Sequence, residues 1–220
     1  MALKSQLHDP RLLPLVVLAD ISGSMAEHAK IETLNFAIRE MLTSLSTYSV
    51  PDIHLHCAVI SFGGQGAQLT LPLTPVDEVK WVDLEASGGT PLGAALDVLI
   101  QMSADRTVLP VNAYSPTILL VSDGLPTDDF DSALRRAESS ELWSRSIRLA
   151  LRIGPDANRH VLEQFASEAS FVLSAADVGD IERHFRYVTF TVASRLRSAT
   201  AGHTDMPTLQ IFGESSGPVF

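Results

Sequence analysis

With 220 residues, 45% of them hydrophobic and 19% charged, the chain is long enough to bury a full core and has globular composition. Its 16 basic and 26 acidic side chains leave a formal charge of -10, and without a Lys/Arg cluster to offset it nucleic-acid binding is disfavoured. No apolar run reaches the roughly 18 residues that cross a bilayer, Met1 to Pro14 carries no secretory pattern, and Cys57 stands alone inside an apolar run, so a soluble protein of a reducing cytoplasm is expected.

Taken in chain order, Leu15 to Ala19 (LVVLA) is a short apolar run that stops at Asp20, as in a central strand covered on both faces. From Ile31 the apolar positions Leu34, Ile38, Leu42 and Leu45 share one face of a helix that fades near Ser46. Ile53 to Phe62 predicts a second strand, and the Gly63-Gly64-Gln65-Gly66 turn before Gln68 to Leu73 predicts a hairpin to an antiparallel edge strand blunted by Pro72 and Pro75. After Ser87-Gly88-Gly89-Thr90, Pro91 suits the first turn of a helix continued by Leu92, Ala95, Leu96 and Leu99, which puts Thr90 at the N-cap. Thr117 to Val121 (TILLV) is another buried strand, ending at Ser122-Asp123-Gly124, with a helix expected over Asp131 to Leu142. The alternation continues with a strand from Ile147 to Ile153, a helix from Val161 to Ala169, a short strand from Phe171 to Leu173 and a helix from Ile181 to Leu196.

Such βα alternation predicts a doubly wound, Rossmann-like α/β fold: a mostly parallel six-stranded sheet with one antiparallel edge strand and helices on both faces. The domain is expected over 14–198, after an N-terminal extension at 1–13 and before a flexible, Gly/Ser/Thr/Pro-rich tail at 199–220.

The residues with chemistry follow the strands. Asp20-Ile21-Ser22-Gly23-Ser24 sets one carboxylate and two hydroxyls at alternate positions directly after a buried strand, an oxygen-only cage. Thr90 and Asp123 follow comparable loops, and in open α/β sheets ligands gather outside the carboxyl ends of the strands where strand order reverses. Asp20, Ser22, Ser24, Thr90 and Asp123 therefore form a candidate site for a hard divalent ion, Mg2+ first, with Mn2+ or Ca2+ as alternatives. At most two carboxylates would reach the ion, leaving positions that an incoming carboxylate can fill. Taken singly, each motif is also compatible with an ordinary capped turn. Asp128, Asp129 and Asp131 are read as serving a helix start, with no metal role, and His54 and His56 lack the third ligand that a zinc site requires.

The run Asp20-Ile21-Ser22-Gly23-Ser24-Met25 resembles the DxSGS motif that begins the metal-ion-dependent adhesion site of von Willebrand factor type A domains. Ser87-Gly88-Gly89-Thr90-Pro91-Leu92 is similar to that family's second loop and Ser122-Asp123-Gly124 to its third, so the resemblance spans roughly Leu15 to Leu196. It implies a metal-dependent interaction module that binds a Glu or Asp of a protein partner, not an enzyme. Within the family, LPLVVLADISGSM and ILLVSDGLPTDD look most like bacterial tellurite-resistance TerY-like proteins, which implies a stress-response setting with kinase or phosphatase partners. Some of those proteins continue into a cysteine-rich, metal-binding C-terminal module; the tail here carries no cysteine, so the function of that module is not expected.

The competing reading is a Mg-dependent phosphohydrolase or phosphotransferase with Asp20 as nucleophile. Ser22 stands where that chemistry wants a second acid, and no lysine is evident to steady a phosphate.

Overall fold

The computed structural model describes residues 11–64, 66–154 and 157–200. The expected N-terminal extension and tail lie almost wholly outside the described residues, as does Gln65 of the predicted turn.

Six strands form one sheet in the order β3-β2-β1-β4-β5-β6. They are β1 (Arg11–Asp20), β2 (Ile53–Gly63), β3 (Gly66–Pro75), β4 (Thr117–Ser122), β5 (Ile147–Ile153) and β6 (Val172–Ala175). Among the described strands only the β2–β3 pair is antiparallel; β1 pairs in parallel with β2 on one side and β4 on the other. Among the described residues the α-helices are α1 (Lys30–Ser46), α2 (Leu92–Ala104), α3 (Phe130–Glu138), α4 (Glu141–Arg145), α5 (Arg159–Phe165) and α6 (Val178–Thr200). Helix α1 packs with α6, which lies against β5 and β6, and α2 packs with α3 and lies against β2 and β3. The predicted fold class is the observed one.

The central strands are apolar because both faces are covered: from Leu13 to Asp20 every residue of β1 is buried, as is every residue of β4. Edge strand β3 instead alternates half-buried and exposed residues. Its pairing with β2 slips between Cys57 and Ile60, opposite a stretch containing Pro72, whose missing N–H cannot join a ladder. Met25, Met41 and Met102 are core residues. Trp81 is half-buried, whereas Trp143 is buried with its ring edge-on to Phe165.

Several boundaries differ from the sequence reading. Strand β1 starts at Arg11, ahead of the apolar run, and α6 continues to Thr200. The helix expected over Asp131 to Leu142 is two: α3 ends at Glu138, and Ser140 caps α4 by accepting a hydrogen bond from the Trp143 N–H. Such local hydroxyl bonding favours caps over helix interiors, which breaks the continuous apolar period here. The helix expected to reach Ala169 stops at Phe165, and a 3-10 turn at Ala169–Phe171 leads into β6, which starts at Val172.

Candidate metal centre

Strands β1 and β4 are neighbours where the strand order reverses, so Asp20, the last residue of β1, lies beside the loop that carries Asp123. Asp20 is fully buried. Its Oδ1 accepts the backbone N–H of Ser22 at 2.8 Å and its Oδ2 accepts the hydroxyl of Ser122 at 2.6 Å. Burial pushes its carboxyl above the usual range, against the lowering effect of the hydrogen bonds from Ser122 and Ser22. Ser22 and Ser24 hydroxyls lie 3.1 Å apart, and Ser24 Oγ donates to Asp123 Oδ1 at 2.7 Å. A chain of polar side chains thus joins the first loop to the third.

The second loop arrives through the irregular stretch after β3. The buried Asn35 of α1 holds that stretch, donating to the Leu84 carbonyl at 2.9 Å and accepting the Leu84 N–H at 2.8 Å. Backbone contacts then stitch three loops together. The Gly23 N–H donates to the Gly88 carbonyl at 2.8 Å and the Ser87 N–H to the Ile21 carbonyl at 2.7 Å, while Gly64 N–H reaches the Ser87 carbonyl. Gly88 has φ +69°, and a Cβ there would stand 2.4 Å from the Gly64 Cα, so glycine alone fits. The Gly63-Gly64 pair, read from the sequence only as a hairpin turn, therefore also seats the second loop.

Thr90 is not the expected N-cap. Pro91 holds that position, and no side chain of its own caps α2. Instead the carboxylate of Asp128 accepts the Gly93 N–H at 3.0 Å and the Ala94 N–H at 2.8 Å. Asp128 does serve a helix start, as expected, but that of α2; Asp129 caps its own helix through the Ser132 N–H. The Thr90 hydroxyl is thereby left for the site. Thr90 is buried, its Oγ1 makes no hydrogen bond to another described residue, and it lies 3.1 Å from where a Cβ on Gly124 would stand. All five predicted residues are thus brought to the carboxyl end of β1 and β4.

Two participants were not picked out from the sequence. Ser122 was quoted within its motif without a role, yet it holds Asp20. Lys30 was missed altogether: where no lysine was evident to steady a phosphate, its Nζ lies 2.7 Å from Asp123 Oδ2. A signal existed, because a lysine opening a helix faces the unfavourable end of the helix dipole and calls for an anionic partner.

Among the described residues no three His, Cys, Asp or Glu side chains gather as a metal-holding group. His54 and His56 stack with ring centroids 6.4 Å apart and gain no third ligand. Any ion here must lean on hydroxyls and water as well as on Asp20 and Asp123, a donor set suited to a small hard cation.

The sequence profile of the von Willebrand factor type A domain matches residues 15–125, just over half of the chain. The chain belongs to this family. The matched segment contains all five site residues and both Ser122 and Lys30. The von Willebrand factor type A domain is a fold of metal-dependent adhesion and protein interaction. Comparison with curated proteins found no match.

Solved structures share the fold. Proximal thread matrix protein 1 of the mussel byssus is 16% identical with a TM-score of 0.65, over 84% of this chain and 49% of that one. A second structure of that protein, with a zinc-occupied MIDAS motif, has a TM-score of 0.64. The pilus adhesin SpaC of Lactobacillus rhamnosus GG is 14% identical with a TM-score of 0.68, over 87% of this chain and 31% of its own. The vWF domain of the type V pili tip protein Mfa5 of Porphyromonas gingivalis is 11% identical with a TM-score of 0.62, over 86% of this chain and 97% of that one. The chain thus spans about half the length of the mussel protein and less of the adhesin. No helix among the described residues is long and apolar enough to cross a membrane.

Proposed function

We propose that this von Willebrand factor type A domain holds a divalent cation, Mg2+ by preference, through Asp20, Ser22, Ser24, Thr90 and Asp123, and uses it to bind an acidic side chain of a protein partner. The observation that carries this reading is the hydroxyl–carboxylate chain Ser22–Ser24–Asp123 beside the buried Asp20. A bound cation supplies an open coordination position for a carboxylate oxygen. The chain's residues do the rest. Ser122 and the Ser22 amide fix both oxygens of Asp20, the stitched glycine loops hold the second loop against the first, and Thr90 contributes a hydroxyl with no hydrogen bond to another described residue.

Mg2+ is favoured over zinc by the donor set, which has no sulfur or nitrogen. The finer resemblance of LPLVVLADISGSM and ILLVSDGLPTDD to tellurite-resistance TerY-like proteins supports a bacterial stress system as the setting, with a kinase or phosphatase of that system as partner in the cytoplasm. The pilus adhesin and the matrix protein that share the fold support an interaction role over catalysis. A buried Asp20 with both oxygens engaged also suits a ligand better than a nucleophile, and Lys30 sits on Asp123 rather than on Asp20.

The test is capture of a partner from cell extract in Mg2+, compared with chelator and with Asp20→Ala. The expected result is a partner held only by wild type with metal present, and no metal-dependent turnover of phosphate esters. Hydrolysis abolished by Asp20→Asn would overturn the reading in favour of the enzyme.

A further inference from the structure

Lys30 is an unexpected residue for its position. It opens α1, where the positive end of the helix dipole repels an ammonium. The two residues before it, His28 and Ala29, hold left-handed backbone at φ 55° and 56°, a conformation that side chains other than glycine disfavour. That turn folds Lys30 back over the cage, with Nζ 2.7 Å from Asp123 Oδ2 and 3.4 Å from the Ser24 carbonyl. The Lys30 side chain is 17% exposed and that of Asp123 is 0% exposed, so the ammonium sits at the rim and the carboxylate beneath it. The other oxygen of the same carboxylate accepts the Ser24 hydroxyl, which places the ammonium one carboxylate's width from the donor set.

We propose that Lys30 is a tethered counter-cation that sets the affinity of the cage for its divalent ion, because both need the charge of Asp123. The inference rests on the metal-binding reading above. A buried carboxylate without a counter-charge is costly, and Lys30 supplies one within the chain. A divalent ion drawn to the same carboxylate neutralises it and then repels the ammonium at short range, where salt screens little. The coupling is reciprocal: the ion loosens Lys30, and Lys30 weakens the ion. Its effect is to hold the cage at moderate affinity while keeping Asp123 paired when the ion leaves.

The experiment is calorimetric titration of Mn2+ into wild type, Lys30→Met, Lys30→Arg and Asp20→Ala, with thermal melts of each in chelator and in Mn2+. Lys30→Met is expected to bind Mn2+ about tenfold tighter than wild type, within the usual range of coupling between sites. It is also expected to melt lower than wild type in chelator and to gain more from the ion. Lys30→Arg, which keeps the charge, stays near wild type. Equal or weaker binding by Lys30→Met, with wild type binding normally, overturns this proposal and leaves the metal site standing. If wild type and Lys30→Met both match the Asp20→Ala baseline, the metal reading falls and takes the proposal with it. Should Lys30→Met fail to melt cooperatively, Lys30→Gln replaces it in the same comparison.

Discussion

Cys57 shows how completely burial governs a single side chain in this sheet. It lies in β2, is fully buried, and has its thiol pushed up to about 12 by desolvation. A group whose folded value lies above its unfolded one contributes stability that is intact below the unfolded pKa and is lost as pH rises through the folded value. The Cys57 contribution is therefore present at neutral pH and fades between about 9 and about 12. Because the chain has one cysteine, a thiol-reactive dye gives a clean readout. Native protein at pH 8 is expected to stay unlabelled until denaturant is added, and prompt labelling of the native fold would contradict the burial. The same residue was legible from its apolar neighbours alone. The position of Lys30 signals the need for an anionic partner but not which one, because Asp123 lies far along the chain and only the turn at His28 and Ala29 brings the two together.

At the scale of elements, the strands that carry the site were easy to find, because continuous apolar runs ending in polar motifs leave few alternatives. Helix ends were harder. Ser139 and Ser140 split one apolar period into α3 and α4, and the cap of α2 comes from Asp128, on a different loop, so no local pattern around Thr90 reveals it. Replacing Asp128 with Ala removes the acceptor for two α2 amides and is expected to cost about 1–2 kcal/mol of unfolding free energy, as the loss of a helix cap does. Urea denaturation measures it; a change within a few tenths of a kcal/mol would mean that water satisfies those amides equally well.

For the whole molecule, the sheet order made the fold class readable from alternation, since parallel strands with right-handed crossovers permit few arrangements. Convergence of the three loops could be expected from that order. The backbone stitching among Ile21, Gly23, Gly64, Ser87 and Gly88 could not, because it depends on close backbone approaches between segments far apart in the chain, which leave no local pattern. An ion that binds only the folded cage stabilises the entire domain. At 100 times its dissociation constant the gain is about 2.7 kcal/mol, or roughly 5–10 °C in Tm for a domain of this size. The rise is expected with Mg2+ in wild type and absent in Asp20→Ala, and equal rises in both would place the ion elsewhere.

The bond from Asp128 to α2 has a practical corollary for protein engineering. Because the loop that presents Asp123 also caps the first turn of the helix that follows Thr90, and its Thr127 N–H donates to the Thr90 carbonyl, neither segment can be exchanged alone between related domains without orphaning the other's amides. A chimera meant to change partner preference has to carry 90–128 as a single cassette.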